Sequence, residues 1–327
     1  MTLRRILILL LLGLTAYGAW AVLEPYQSYP SEAFVDIPRG LSTAGIAASL
    51  QAAGVLRSEW PFFLVRLLRL RTTLKAGEYR FDRPLSPLEV YGKIASGDVF
   101  YYTVTVPEGF NLFDIAEAVA RTGILTRQEF LKAAGQSTRV SDLAPQAPSL
   151  EGFLFPDTYR LTRHTTAEEL AGQMLQRFRK VWTELHSPPN AFEIVTLASL
   201  VERETPMASE RPVVASVFQN RLRIGMPLQC DPTVVYALQL ADRYRGEIFK
   251  DDLAFPSPYN TYKHPGLPPG PIANPSRASL QAVLAPAATD YLYFVADRKG
   301  GHTFSASIAG HEKAVATYRR KQHARRR

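Results

Sequence analysis

The 327 residues contain one cysteine, Cys230, so no disulfide can close within the chain and its stability must come from packed cores. Several catalytic signatures are also missing. There is no GxSxG, no phosphate-cradling glycine loop and no HExxH, which removes the commonest serine-hydrolase, nucleotide-hydrolase and zinc-protease readings. The six histidines are scattered without metal-ligand spacing, so no metal and no cofactor is expected. Cys230 has no histidine close to it in sequence and reads as a small buried hydrophobe. Acidic residues are in the minority, giving a net charge of +8, but the excess sits at the ends. Arg4 and Arg5 at one end, with Arg319, Arg320, Lys321, Arg325, Arg326 and Arg327 at the other, account for all of it. The rest is neutral and carries no nucleic-acid motif, so nucleic acid is not an expected partner. Residues 319–327 read as a solvated basic tail.

What is present begins with a charge-free run from Ile6 to Leu23, preceded by Arg4 and Arg5 and followed by Glu24. A helix of about 20 apolar residues spans a hydrocarbon core. By the positive-inside rule the short N-terminus stays in the cytoplasm and the bulk is exported. Residues 1–24 are therefore expected to be a cytoplasmic stub and transmembrane helix. A cleaved signal peptide is the alternative, but the boundary AVLEPYQ is a poor cleavage site.

An internal repeat organises the next part. VDIPRGLSTAGIAASLQAAGVL starts at Val35, and VTVPEGFNLFDIAEAVARTGIL starts at Val104, sixty-nine residues on. Each copy opens with a strand pattern, turns at Pro-x-Gly, and continues as a helix led by Ile46 or Ile115, with Gly54 or Gly123 where a C-cap belongs. The match continues weakly: GEYRF from Gly77 precedes a helix led by Ser86, and TYRL from Thr158 precedes one led by Thr165 or Thr166. The second copy is about 11 residues longer, near EGFLFPDTY (Glu151 to Tyr159), and an insertion in a repeated scaffold is a natural place for function. A unit of this size suits a small carbohydrate-binding module, or serves only as a folding unit.

The last third reads as helices and one hairpin. Asn190 is expected to cap a helix from Ala191 to Glu204, and Ser209 the next, which Gly225 ends. Asp231-Pro232 reads as an N-cap with proline at the first helical position. Leu253 to Pro275 holds seven prolines and is a stiff loop. Tyr291 to Ala296 is a strand, joined through Arg298 to Gly301 to a second strand in HTFSAS. The fold class is α+β.

With nucleophile and metal motifs absent, carboxylates in apolar settings are the candidates for chemistry. Glu202 in TLASLVERET has Val195, Ala198 and Ser199 on its own helix face. A carboxyl among small and apolar groups is hard to ionise and can hold a proton for a leaving oxygen. Glu204 lies about 200° round the helix, so the two cannot face one substrate equally. A glutamate near a helix end also commonly pairs with arginine, and Arg203 and Arg211 are close. Tyr259, Asn260 and Tyr262 in the proline-rich loop could stack on sugar rings and bond to hydroxyls, or the loop is purely structural or peptide-binding.

The segments EGFLFPDTY, ASLVERET, SERPVVASVFQNRL, MPLQCDPTVVYAL, SPYNTY, GLPPGPIANP and YLYFVADRKGGHTF stand in the order found in the MltG (YceG-like) family of endolytic murein transglycosylases, which the chain resembles nearly end to end. The resemblance implies a LysM-like module at 33–101 and a mixed α/β catalytic domain at 102–318, the latter starting with the second repeat. It implies a single-pass protein of the inner membrane with its catalytic part in the periplasm. It implies Glu202 as the catalytic acid. Glu151, Asp157, Gln229, Asp231, Asn260 and Tyr262 are implied as substrate-binding helpers by their place in the motifs. Cys230 departs from the family, which usually has a small hydroxyl residue there. The implied reaction is lysis of the MurNAc-GlcNAc β-1,4 bond within peptidoglycan strands to 1,6-anhydroMurNAc ends, limiting nascent strand length, with wall-synthesis polymerases as partners. A non-catalytic wall-binding scaffold and a two-carboxylate muramidase-type hydrolase are the alternatives.

Overall fold

The computed structural model describes residues 3–297 and 300–324, and its contacts divide them into two compact units. The first holds residues up to Tyr102 together with Thr162–His164; the second holds Thr103–Leu161 and the chain from Thr165 onward.

The first unit begins with α1 (Leu3–Leu23), a helix long and apolar enough to cross a membrane and almost wholly exposed. There follow β1 (Ala33–Ile37), α2 (Thr43–Ala52), α3 (Trp60–Leu68), β2 (Gly77–Phe81) and α4 (Pro87–Ser96). The two strands pair antiparallel with Val35 opposite Tyr79, and both side chains are buried. That cross-strand pair is the unit of sheet stability, and Ile46, Leu50, Phe62, Tyr91 and Ile94 close over it. Ser86 and Glu89 form a capping box at the start of α4, satisfying the orphan N–H groups reciprocally.

The second unit repeats this order: β3 (Tyr102–Thr105), α5 (Leu112–Ala120), α6 (Arg127–Ala134), β4 (Thr158–Leu161), which pairs with β3, and α7 (Ala167–Glu184). The repeat read from sequence is thus a structural one. Gly40 and Gly109 both take a positive φ, +83° and +76°, in the Pro-x-Gly turns. Gly54 and Gly123 do so after the helices. Thr166, not Thr165, caps α7. The longer second copy includes a short 3-10 turn at Ser137–Val140 and the irregular chain up to β4.

Next come α8 (Phe192–Glu204), α9 (Arg211–Arg223), α10 (Asp231–Leu240), α11 (Arg277–Leu284), β5 (Tyr293–Ala296), β6 (His302–Ser305) and α12 (Ile308–Ala324). Every residue of α8 from Val195 to Val201 is buried, because α9, α10 and α11 all pack on it. This helix is the axis of the unit.

Several expectations are corrected. Ala191, not Asn190, is at the cap of α8, although Asn190 Oδ1 just before it accepts from Phe192 N at 3.1 Å, and Ser209 does not cap α9. Glu210 occupies that cap position and makes no side-chain cap bond, its carboxylate being taken by His302 and Thr205. Asp231 lies inside the first turn of α10, with Cys230 at the cap, because its carboxylate accepts from the Tyr262 hydroxyl instead. The basic end starts within α12, since the helix runs to Ala324; Arg325 to Arg327, and Arg298 and Lys299 of the hairpin, lie outside the described residues. The fold is a mixed α and β one, with the strands in two-stranded ribbons.

Candidate active site

Glu202 sits in the last turn of α8 with its side chain only 4% exposed. Its helix-face neighbours Val195, Ala198 and Ser199 are fully buried, as the spacing predicts. Its oxygens, however, reach past them to polar partners. Arg211 Nη2 donates to Oε1 at 2.9 Å. Ser276 donates twice to Oε2, from its backbone N at 2.8 Å and its hydroxyl at 2.5 Å. The predicted apolar setting holds for the stem of Glu202 and fails for its carboxylate.

Three elements build this arrangement. Arg211 opens α9, where Pro212 removes an N–H that has no helical partner. Ser276 caps α11, accepting from Ser279 N at 3.2 Å. Its hydroxyl also accepts from Arg211 Nη1 at 2.8 Å. With two bonds accepted, its one hydrogen is committed to Glu202. The fourth wall is the Pro-x-Gly turn of the second repeat. A Cβ at Gly109 would meet Glu202 Cγ at 3.4 Å, and Arg203 Nη1 holds Gly109 O at 3.0 Å. Glu108 beside it is half exposed, with Oε2 3.8 Å from Arg211 Nη2.

The other six candidate residues divide into two groups. Glu151 is buried and accepts from Leu112 N at 2.9 Å and Asn274 Nδ2 at 3.0 Å. Burial pushes its carboxyl up to about 8, against the pull of the Leu112 N–H and the Tyr236 hydroxyl. Asn274 in turn bonds Phe110 O and Leu154 N, and Gly109 N donates to its carbonyl, so this cluster fixes the Gly109 turn from behind. Asn260 is fully buried and binds Leu253 O, Phe255 O and Tyr262 N. All its groups are engaged, which makes it the internal brace of the proline-rich loop and leaves nothing for a sugar hydroxyl. Asp157 is bound to Arg177 at 2.7 Å, and that hydrogen bond holds its carboxyl below the usual range.

Gln229, Asp231 and Tyr262 remain accessible. Gln229 is exposed with φ +49°, held by its N–H to Thr261 O. Asp231 accepts from the Tyr262 hydroxyl at 2.5 Å. Behind them lies Glu204, whose carboxyl burial pushes up to about 7, with Cys230 Sγ donating to it at 3.4 Å. The helical argument that Glu202 and Glu204 face different ways agrees with their separate partners. Cys230 is wholly buried and its thiol is pushed well above its ordinary value by that burial.

Sequence reasoning missed Ser276, Asn274 and Tyr236, and placed Ser199 beside Glu202 without its bond to the loop. Ser199 Oγ accepts from Ile272 N at 3.0 Å and pins the loop to α8. The only local signal was for Ser276, a serine just before a helical pattern in NPSRASL. Among the described residues no three histidine, cysteine or acidic side chains gather as a metal site.

Comparison with known proteins places these features in a wider set. The YceG-like family model matches residues 35–317. The endolytic murein transglycosylase of Bacillus subtilis (strain 168) is 33% identical, across 94% of this chain and 90% of its own length. That of Streptococcus pneumoniae serotype 2 is 31% identical, across 87% of this chain and 58% of a longer protein. The crystal structure of a YceG-like protein from Listeria monocytogenes superposes with a TM-score of 0.56 at 30% identity, covering 87% of this chain and 99% of that one.

Proposed function

The chain belongs to the YceG-like family, and from that membership we propose that it is an endolytic murein transglycosylase, a lyase of peptidoglycan glycan strands, with Glu202 as its acid and base. The observation that carries the assignment to Glu202 is the fixing of its carboxylate between the start of α9 and the N-terminus of α11. A catalytic group must be held to a fraction of an ångström, and three donors from two other elements do so.

A carboxylate offers about four lone-pair sites. Ser276 occupies two on Oε2, and Arg211 occupies one on Oε1. Among the described residues the unoccupied site is on Oε1, and the transferred proton rides there. Protonated Glu202 donates it to the oxygen between MurNAc C1 and GlcNAc, the C1–O bond breaks, and GlcNAc leaves with a hydroxyl. The sugar left behind is oxocarbenium-like. Glu202, now ionised and stabilised by Arg211 and Ser276, takes the proton of the muramoyl C6 hydroxyl as its oxygen bonds to C1. The acid is restored and no water is consumed. The C6 hydroxyl is tethered beside C1, so one carboxylate serves both steps. Gln229, Asp231 and Tyr262, accessible at the start of α10 and in the proline-rich loop, serve in this reading to bind the strand. Cleavage within strands limits the length of nascent ones.

The same reading takes α1 as a single-pass anchor of the inner membrane, with the rest in the periplasm. It takes residues 33–101 as a LysM-like module that holds glycan, residues 102–318 as the catalytic domain, and the wall-synthesising polymerases as partners. The β-α-α-β-α order of the first unit supports a small sugar-binding module. The test is turnover by the purified protein of isolated glycan strands. Shortened strands support the reading; binding without shortening overturns it in favour of a wall-binding scaffold.

A further inference from the structure

α3 is apolar on both faces. Pro61, Phe62 and Val65 are buried in the core of the first unit. On the other side Trp60, Phe63, Leu67 and Leu68 are exposed, Leu68 by 76%, as is Leu70 just past the helix end. A surface helix ordinarily turns charged residues outward, and a contiguous apolar face marks something that binds there. The charges that interleave with this face are all positive. Arg66, Arg69, Arg71 and Lys75 follow one another, and no acidic residue lies between Trp60 and Lys75.

The face is continuous with the apolar surface of α1. The rings of Tyr17 and Trp60 stack at 5.7 Å, and Trp20 meets Tyr17 at 5.8 Å. A Cβ at Gly18 would touch Leu64 at 3.7 Å. Gly18 lies five residues before the end of α1, about 8 Å along the helix at 1.5 Å per residue. An open apolar groove of about 500 Å³ runs between the two helices, lined by Leu14, Gly18, Trp60 and Leu64.

We propose that the exposed face of α3, with the basic stretch after it, lies in the headgroup–acyl boundary of the lipid leaflet that α1 leaves, and binds anionic headgroups there. The proposal rests on α1 being a membrane anchor. A partner protein would need no run of one charge sign, and α1 already brings lipid to the edge of this face. Aromatic rings at the junction, leucines beyond them and arginines at the rim are the composition of an in-plane interfacial helix. The contact makes the first unit a second attachment to the bilayer, in addition to the span.

The test uses the full chain in vesicles of phosphatidylethanolamine and phosphatidylglycerol, with a nitroxide at Leu68→Cys; Cys230 is buried and does not compete for label. Leu10→Cys on α1 reports the anchor, and Asp82→Cys, half exposed in the same unit, reports water. The Leu68 label should relax with oxygen rather than with a water-soluble nickel chelate, at a depth of roughly 5–10 Å, while the Asp82 label does the reverse. A Leu68 label as nickel-accessible as Asp82, with Leu10 in lipid, overturns the proposal and leaves the anchor standing. Nickel access at Leu10 overturns both. Shielding of Leu68 from both reagents means that protein covers the face and overturns the lipid assignment. Replacing phosphatidylglycerol by phosphatidylcholine should move the label outward; an unchanged depth removes the role given to the exposed Arg69 and Arg71, Arg66 being bonded to Thr72 O and the Tyr91 hydroxyl.

Discussion

At the residue scale, the side chains of Glu202, Glu204 and Glu151 are all buried, and their partners set them apart. Glu202→Gln keeps the shape, and its one amide oxygen can still accept from either Arg211 or Ser276, but it has no acidic proton to give. Acid–base catalysis contributes roughly 10²–10⁴-fold, so turnover on glycan strands should fall at least that far while circular dichroism stays unchanged. Glu204→Gln, in its separate pocket with Cys230, should lose much less. Equal losses in the two variants would move the chemistry off Glu202. Glu151 makes a different prediction. Its carboxyl sits at about 8 in the folded protein, against an ordinary 4.5, because burial penalises the charge. Above 4.5 the unfolded chain releases a proton that the native one keeps. Stability contributed by the neutral form is therefore fully present below about 4.5 and is lost as pH rises through about 8, by up to about 1.4 kcal/mol per pH unit. Glu151→Gln should flatten that fall in urea melts taken from pH 5 to 8. A melt series with the same slope in both proteins would show that Glu151 is not held neutral.

At the element scale, two serines make a controlled comparison. Ser86 caps α4 in the first unit, and Ser276 caps α11 beside Glu202. Replacing either by alanine should cost about 1 kcal/mol, read as a lower Tm. Only Ser276→Ala should also lower turnover, because it takes away one of the two donors on Oε2. An undiminished rate in Ser276→Ala would mean that Ser276 is a cap and nothing more. This pair also shows what the sequence could and could not tell. The repeat, the turns and the start of α7 were legible because each is encoded within a few residues: a strand alternation, a glycine at positive φ, a Thr-x-x-Glu box. The small, buried helix face under the stem of Glu202 was legible from spacing. The polar partners of its carboxylate were not. Ser276 is 74 residues away and Asn274 is 123 from Glu151, and no periodicity relates such positions. The partners of Asn260 were hidden for the same reason. An asparagine between two tyrosines looks like a ligand group until the loop folds back and its amide meets Leu253 and Phe255.

For the whole molecule, α1 and the charges before it predict export of everything after it. A reporter that works only outside the cytoplasm, fused after Arg327, should be active, and a reporter confined to the cytoplasm should not. The reverse result would contradict the orientation. In the proposed reaction one carboxylate, using the substrate's own hydroxyl, cuts strands internally. The structure gives Glu202 pinning partners, whereas Glu204 and Glu151 are buried among their own. A hydrolase would need a second base to activate water. The most direct measurement is mass spectrometry of long glycan strands digested by the purified protein, with and without borohydride. Internal cuts are expected, with new muramoyl ends that are 1,6-anhydro sugars, one water lighter than hydrolytic ends and untouched by borohydride; reducible muramic acid ends would mean that water, not the C6 hydroxyl, attacks.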